Sequence, residues 1–359
     1  MVLSNQTKQL ILENNKIIIN DTTGHLSPFI SKIDDLTSIE IFLPEDILDN
    51  YLVSKIKVGI SACQYGAKVR YDGKGWDMTE HLKREKNEFI WYPMCPELQS
   101  GLGVPRVSIS LRGGNGDDFW EGNANIKNRD GVLLNDKVKK GALTCFEQLK
   151  EENIDVFIFM EGSPSCGVYR TSLKAQRLGK PPGIFGSLLL KEKVFLIPAV
   201  DLQSPIKWWD WRRRMYAFVW LKNKEIKSLD DIYKAWHVVK FLCQELNRVE
   251  ADEIGTSLAN IKNIDETILD NFKTKMLNLL RKPSDIKSIK QSLWKNYSWL
   301  RKKRGLMVEE VMEPTNIRNM AHIAHELVKL EIVSRDENHL FGASPIYRGK
   351  KQEGNKNGI

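Results

Sequence analysis

Val58-Gly59-Ile60-Ser61-Ala62, Phe89-Ile90-Trp91-Tyr92-Pro93-Met94 and Val156-Phe157-Ile158-Phe159-Met160 decide how this chain is read, because a cysteine follows each of them. Short runs rich in β-branched and aromatic residues, separated by helix-length polar segments, are predicted to be buried strands of a parallel sheet. Val194-Phe195-Leu196-Ile197-Pro198 is a further run of this kind. In such a sheet the loops at the carboxyl ends of the strands share one edge, and ligands bind there. Cys63, Cys95 and Cys166, the last after a Gly162-Ser163-Pro164-Ser165 turn, are therefore expected to meet at one site. Three thiols without a fourth suit a metal centre that keeps one position open.

Working outward, the expected fold is α/β: a Rossmann-like parallel-sheet domain followed by a mainly α-helical C-terminal domain. Helical spacing of apolar residues is clearest from Leu134 to Glu151, and again over Leu229–Leu246, Glu250–Ile261, Glu266–Leu280 and Ile286–Leu300. The Trp- and Arg-rich stretch from Pro205 to Tyr216 reads as the junction. From Ile317 onward a helix leading into a hairpin is expected, a winged-helix outline. The expected organisation is an extension over residues 1–52, the cysteine-bearing domain over 53–220, a basic helical domain over 221–348 and a disordered polar tail over 349–359.

Composition narrows the class. The 42% hydrophobic and 28% charged residues are those of a soluble globular protein. No apolar run approaches the roughly 20 residues that cross a bilayer, and the start of the chain lacks the pattern of a secretory leader. A cytoplasmic protein with no membrane partner is the expectation. The five cysteines are odd in number and include no Cys-x-x-Cys pair, which favours thiols in metal or catalytic work over a disulfide framework. Cys145 and Cys243 sit inside helical patterns and are expected to pack. Charge is unevenly placed: residues 1–206 hold 25 Lys+Arg against 26 Asp+Glu, whereas residues 207–359 hold 29 against 20. A basic excess confined to one half points to a polyanionic partner, and the competing reading is a solvated helical surface.

The cysteines lie in three longer elements. The first is Cys63-Gln64-Tyr65-Gly66-Ala67-Lys68-Val69-Arg70-Tyr71-Asp72-Gly73. The second is Cys95-Pro96-Glu97 with the following Gly101-Leu102-Gly103-Val104-Pro105-Arg106. The third is Ser163-Pro164-Ser165-Cys166-Gly167. In these elements, and in Gly183-Ile184-Phe185, the chain resembles the TudS-like thiouracil desulfidase family over roughly residues 55 to 220. Two departures stand out: Gln64 and Tyr65 occupy positions that are usually apolar, and Met160-Glu161-Gly162 replaces the usual Lys-Ser-Arg.

The resemblance implies a four-iron four-sulfur cluster held by Cys63, Cys95 and Cys166, with one iron left without a protein ligand. An open iron is a thiophilic Lewis acid that polarises a thiocarbonyl for attack by water. The implied reaction is hydrolytic, non-redox desulfuration that releases hydrosulfide. It needs a base and a proton donor, and the carboxylates nearest in sequence are Glu97 and Asp72. Each has another reading: Glu97 as a helix cap, Asp72 as turn chemistry. Ser165 is a candidate hydrogen bond to a cluster sulfide or the substrate. Arg70, Arg106 and Ser163 are candidate substrate contacts, the arginines being equally readable as ion-pair partners.

Family members fused to a helical domain act on 4-thiouridine in tRNA, and Lys240-Phe241-Leu242 and Gly255 resemble that domain. Lys240, Lys295 and Arg301 to Arg304, with Trp294, Tyr297 and Trp299 interleaved, would suit phosphate contact and base stacking. The same aromatics would equally form the apolar face of a packed helix. The expected substrate is thus tRNA 4-thiouridine, with free thiouracil-type bases as the alternative. A non-catalytic iron–sulfur protein that binds nucleic acid or senses oxidants is the reading from another class.

Overall fold

The computed structural model of the chain describes residues 10–13, 16–19, 39–41, 50–172, 180–261, 265–305, 307–308, 311, 319–336 and 340–349. In the N-terminal extension, strands β1 (Leu10–Glu13), β2 (Lys16–Ile19) and β3 (Ile39–Ile41) form a small antiparallel sheet. The rest of the chain before residue 50, and the tail beyond Gly349, lie outside the described residues.

After the short β4 (Tyr51–Leu52) come β5 (Ile56–Ser61) and β6 (Phe89–Met94), and then the one-turn helix α1 (Pro96–Gln99). A hairpin of β7 (Ile109–Arg112) and β8 (Asn125–Asn128) encloses the short helix α2 (Gly116–Trp120). Helix α3 (Asn135–Glu151), strand β9 (Val156–Phe159), helix α4 (Ile184–Lys191) and strand β10 (Phe195–Pro198) complete the α/β part. The sheet is wholly parallel in the order β10-β9-β5-β6, with Val58 opposite Val156 and Ile56 opposite Phe89. All four residues of β9 and of β10 are buried, as expected where helices cover both faces of a parallel sheet. Gly59 on β5 lets the Phe157 ring lie against the strand, where a Cβ would collide with it. In chain order the strands run 2-1-3-4, so the direction of winding reverses between β5 and β9. A ligand crevice opens at such a switch point.

Helix α5 (Pro205–Asn223) is where the expected junction stands, and residue 220 falls inside it. It is buried on nearly all sides, Asp210, Arg213 and Arg214 included. The sheet covers one side, α8 (Glu266–Leu280) packs directly on the other, and α6 (Leu229–Leu246) and α7 (Arg248–Ala259) extend the same apolar core. Its buried charges pair internally: Arg213 with Asp210 at 2.7 Å and with Glu245, Arg214 with Asp210 at 2.8 Å. Helix α9 (Ile286–Arg304) and helix α10 (Met320–Asp336) bury a separate apolar cluster around Leu293, Tyr297 and Leu327.

The end of the described chain corrects an expectation. Glu331 to Ser334 continue α10 and do not form a strand. β11 (Tyr347–Arg348) pairs in parallel with β4, so the described residues form no winged hairpin. The Asn50 side chain donates to the Pro345 carbonyl at 2.8 Å, which fixes this closure of the chain onto the start of the sheet domain. Among the described residues no helix is long and apolar enough to cross a membrane.

Candidate functional site

β5 ends in Ser61, whose Oγ accepts the Met160 N–H at 3.0 Å and ties the ends of β5 and β9 together. One 3₁₀ turn over Ala62–Gln64 follows and carries Cys63. The Cys63 carbonyl accepts the Trp76 N–H at 2.7 Å. The Gln64 side chain, only 4% exposed, donates its amide N–H to the Cys63 sulfur at 3.8 Å. Burial pushes the Cys63 thiol up to about 12; the Gln64 amide pulls the other way, and the negative charges of Glu97 and Cys95 add to the rise.

The carboxyl end of β6 delivers Cys95 to the N-cap of α1, with Pro96 at the first helical position. Glu97 stands in that first turn. Its Oε2 accepts from the Cys95 thiol at 4.0 Å and from Arg106 Nη2 at 2.6 Å, while its Oε1 accepts the Ser163 hydroxyl at 3.3 Å. Behind the turn, α3 approaches so closely that a Cβ at Gly141 would collide with the Pro96 carbonyl and the Ser100 hydroxyl.

β9 delivers the third thiol through a looped segment closed at its base by Glu161. That carboxylate accepts the N–H groups of Tyr169 at 3.3 Å and Arg170 at 3.0 Å. Burial raises its pKa, and those two N–H groups oppose the rise. Ser163 Oγ accepts the N–H groups of Ser165 at 3.2 Å and Cys166 at 3.1 Å, so one hydroxyl links the Cys166 loop to Glu97. Burial pushes the Cys166 thiol well above its ordinary value, followed by the charges of Glu97 and Cys95; the Ser61 hydroxyl opposes them. Ser61 lies opposite Met94 in the sheet and holds the Met160 N–H, so the three cysteine-bearing loops leave the same edge of the sheet side by side. Ser165 is fully buried, and its Oγ has no hydrogen-bond partner.

The structure thus brings Glu97, Arg106 and Ser163 together with the cysteines. Arg106 spends its donors inside the protein, on Glu97 and on the carbonyls of Val69 at 2.8 Å and Gly103 at 3.2 Å. Arg70 lies over the Trp76 ring at 4.7 Å and near Tyr71 at 5.2 Å, with its Nε 3.5 Å from Asp72 Oδ1. Asp72 sits on an exposed turn and accepts the Lys74 N–H at 3.2 Å. In the C-terminal half, Tyr297 is buried and Trp294 packs against it, while Trp299 is exposed. Lys287, Lys290, Lys295, Arg301 and Lys302 line the exposed side of α9.

The sequence reading passed over Ser61 and noted Gln64 and Glu161 only as departures from the family pattern, without a role. A serine ending an apolar strand and a glutamate just past one were the available signals, since polar side chains at those buried positions need partners.

Three soft thiols from three strand ends, beside an orphaned buried hydroxyl, fit an iron–sulfur cluster. Among the described residues no three Cys, His, Asp or Glu side chains close on a single point that would hold one metal ion. A polynuclear cluster asks for a different arrangement, because each thiolate binds a different iron.

Residues 58–200 match the family model described as 2-thiouracil desulfurase. The chain is similar to YbbK of Bacillus subtilis (strain 168), described as an uncharacterized protein. They share 32% identity over 108 residues, which is 30% of this chain and 71% of YbbK. A solved structure titled [4Fe-4S]-dependent thiouracil desulfidase TudS is 25% identical; the match covers 40% of this chain and 91% of that one, with a TM-score of 0.34. The matched residues run from β5 to the end of β10 and so include all three strand-end cysteines: the chain belongs to the 2-thiouracil desulfurase family, a family of sulfur-removing enzymes.

Proposed function

We propose that this chain is an iron–sulfur-dependent desulfidase that hydrolytically removes the sulfur of 4-thiouridine in tRNA, without net electron transfer. The observation that carries the reading is that Cys63, Cys95 and Cys166 follow adjacent strand ends, with the Glu97–Ser163 pair bonded to the Cys95 thiol and to the Cys166 loop. Those cysteines would hold the cluster, and Ser165 Oγ is the donor available to one of its sulfides. When bound, the cluster supplies an open, thiophilic iron that withdraws electrons from a thiocarbonyl.

Glu97 takes the proton of the attacking water through Oε1, the oxygen that faces the Ser163 hydroxyl. Arg106 fixes the carboxylate by holding Oε2, which makes it a positioning residue and not a substrate contact. The carbon–sulfur bond breaks, sulfur departs as hydrosulfide carrying the second hydrogen of the water, the product carbonyl keeps the oxygen, and the ring nitrogen ends with the hydrogen it began with. Arg70, its guanidinium stacked beside the Cys63 loop, is the cation available to an anionic ring or a phosphate. Asp72 orders the turn that carries Arg70.

The tRNA assignment rests on charge. The basic excess of residues 207–359 includes the exposed cations of α9, although Trp294 and Tyr297 serve the core and leave Trp299 as the exposed aromatic of that set. Anaerobically reconstituted protein is expected to release hydrosulfide from thiolated tRNA, and Cys166→Ala to abolish release. Turnover of free thiouracil with none of thiolated tRNA would move the substrate to the free base. A loaded cluster with no turnover of either would overturn the enzyme reading in favour of a binding or sensing protein.

A further inference from the structure

Gln64 is a buried polar side chain at the most sensitive place in the site, and the proposed chemistry gives it no task. Its amide nitrogen lies 3.8 Å from the Cys63 sulfur, and it follows that cysteine directly in the same 3₁₀ turn. The turn is braced on both sides. The Tyr65 and Ala67 N–H groups both donate to the Ala62 carbonyl at 3.1 Å, and the Trp76 N–H donates to the Cys63 carbonyl. The Tyr65 ring packs on Trp91 at 5.7 Å and carries the Lys86 ammonium over its face at 4.9 Å. A side chain held this way keeps its amide aimed at one sulfur. Tyr65 provides the anchor and Gln64 the donor, which gives one joint account of the two departures after the first cysteine.

We propose that Gln64 tunes the iron–sulfur cluster by an N–H···S hydrogen bond to the Cys63 thiolate. The inference rests on the cluster reading above. A donor on a ligating sulfur stabilises negative charge there, so it favours the more electron-rich state of the cluster and draws density from the iron that the sulfur binds. In a hydrolytic desulfidase that makes the open iron a stronger Lewis acid. One-electron reduction serves here as a probe and is no part of the reaction.

The test compares the full-length protein with Gln64→Leu, which keeps the bulk and deletes the donor, after anaerobic reconstitution of both. Iron and sulfide analysis comes first, and a wild type that takes up no iron sinks the cluster reading itself. With clusters loaded, an EPR-monitored redox titration is expected to show a more negative midpoint potential for Gln64→Leu. An independent measurement uses only the unaltered protein: its Fe–S(Cys) Raman bands are expected to shift after exchange into D₂O. If Gln64→Leu fails to load, that isotope shift decides the matter, its presence supporting the proposal and its absence overturning it. A loaded Gln64→Leu with an unchanged midpoint overturns the proposal and leaves the cluster reading intact.

Discussion

Arg106 and Glu97 form a 2.6 Å ion pair in which the arginine side chain is only 5% exposed, and Glu97 turns its other oxygen to Ser163. In the proposed mechanism the pair leaves Oε1 as the carboxylate oxygen that meets the attacking water. Arg106→Lys retains the charge but cannot hold Glu97 and the Val69 and Gly103 carbonyls in one planar fork. The expected result is a fall in kcat of about 100-fold with little change in cluster content, since misplacing a catalytic group by about 1 Å costs that much. Glu97→Gln should lose about 10²- to 10⁴-fold, the usual contribution of a general base. Single-turnover hydrosulfide release beside iron analysis checks both.

The thiols predict how the metal-free protein behaves. Burial lifts Cys63 to about 12 and Cys166 well above its usual value, so both are neutral near pH 8. Their alkylation should be slower than that of an unhindered cysteine and should keep rising about tenfold per pH unit beyond the ordinary thiol value of about 8.5. A raised folded pKa contributes stability below the unfolded value and loses it as pH climbs through the folded one. The metal-free protein should therefore weaken from about pH 8.5 upward, and cluster assembly, which needs thiolates, should release protons. Mass-spectrometric alkylation rates and thermal melts between pH 7 and 11 measure this. A rate plateau at pH 9 would contradict the burial of these thiols.

At the junction of the two halves, Asp210 joins Arg213 and Arg214 in the centre of α5. Burial alone would raise its pKa, but Arg214 and Arg213 outweigh it and hold the carboxyl below the usual range. Asp210→Asn leaves two buried guanidiniums short of a counter-charge, and about 3–5 kcal/mol of stability should go at pH 7. A depressed folded pKa gives stability that is present above the unfolded value, near 3.9, and lost as pH falls through the folded one. The gap between wild type and Asp210→Asn should accordingly narrow below about pH 4. Chemical denaturation at pH 7 and pH 3.5 compares them.

The sheet was legible because its signal is local: a buried parallel strand is apolar on both faces, as in Val156–Phe159, and the cysteine after it needs no partner to be noticed. The helices over Leu229–Leu246 and Glu266–Leu280 begin at capped starts, with Ser228 and Asp265 as the caps, and match their spacing. What escaped was set by tertiary contacts. The Trp- and Arg-rich stretch reads as a junction, and its burial becomes visible only once the sheet and α8 are seen closing over it, while Glu331 to Ser334 carries strand-like residues that α10 absorbs. Polar positioning groups such as Gln64 and Glu161 acquire meaning from partners that only the fold supplies.

On α9 the exposed cations make a salt-dependent prediction. Lys290→Glu with Lys295→Glu should weaken tRNA binding at every sequence tested and flatten the salt dependence, because each phosphate contact adds about one to the slope of log K against log salt. Both side chains are exposed, so folding and cluster content should be unchanged. Binding of thiolated tRNA at two ionic strengths reads the effect. Identical slopes would remove this helix from the nucleic-acid surface.

A close backbone approach behind the Cys95 turn is also testable. Gly141 on α3 sits against the Pro96 carbonyl and Ser100 hydroxyl, directly behind the turn that holds Cys95. In Gly141→Ala the new methyl has backbone on one side and a packed helix on the other, so α3 or the Cys95 turn has to move. Overpacking of this kind costs about 1–3 kcal/mol. Because Cys95 caps α1 and Glu97 lies in its first turn, the strain should appear twice: as a lower Tm in the metal-free protein, and as reduced iron retention after reconstitution. A normal Tm with full iron content would mean that the turn yields without cost and that α3 does not set the position of Cys95.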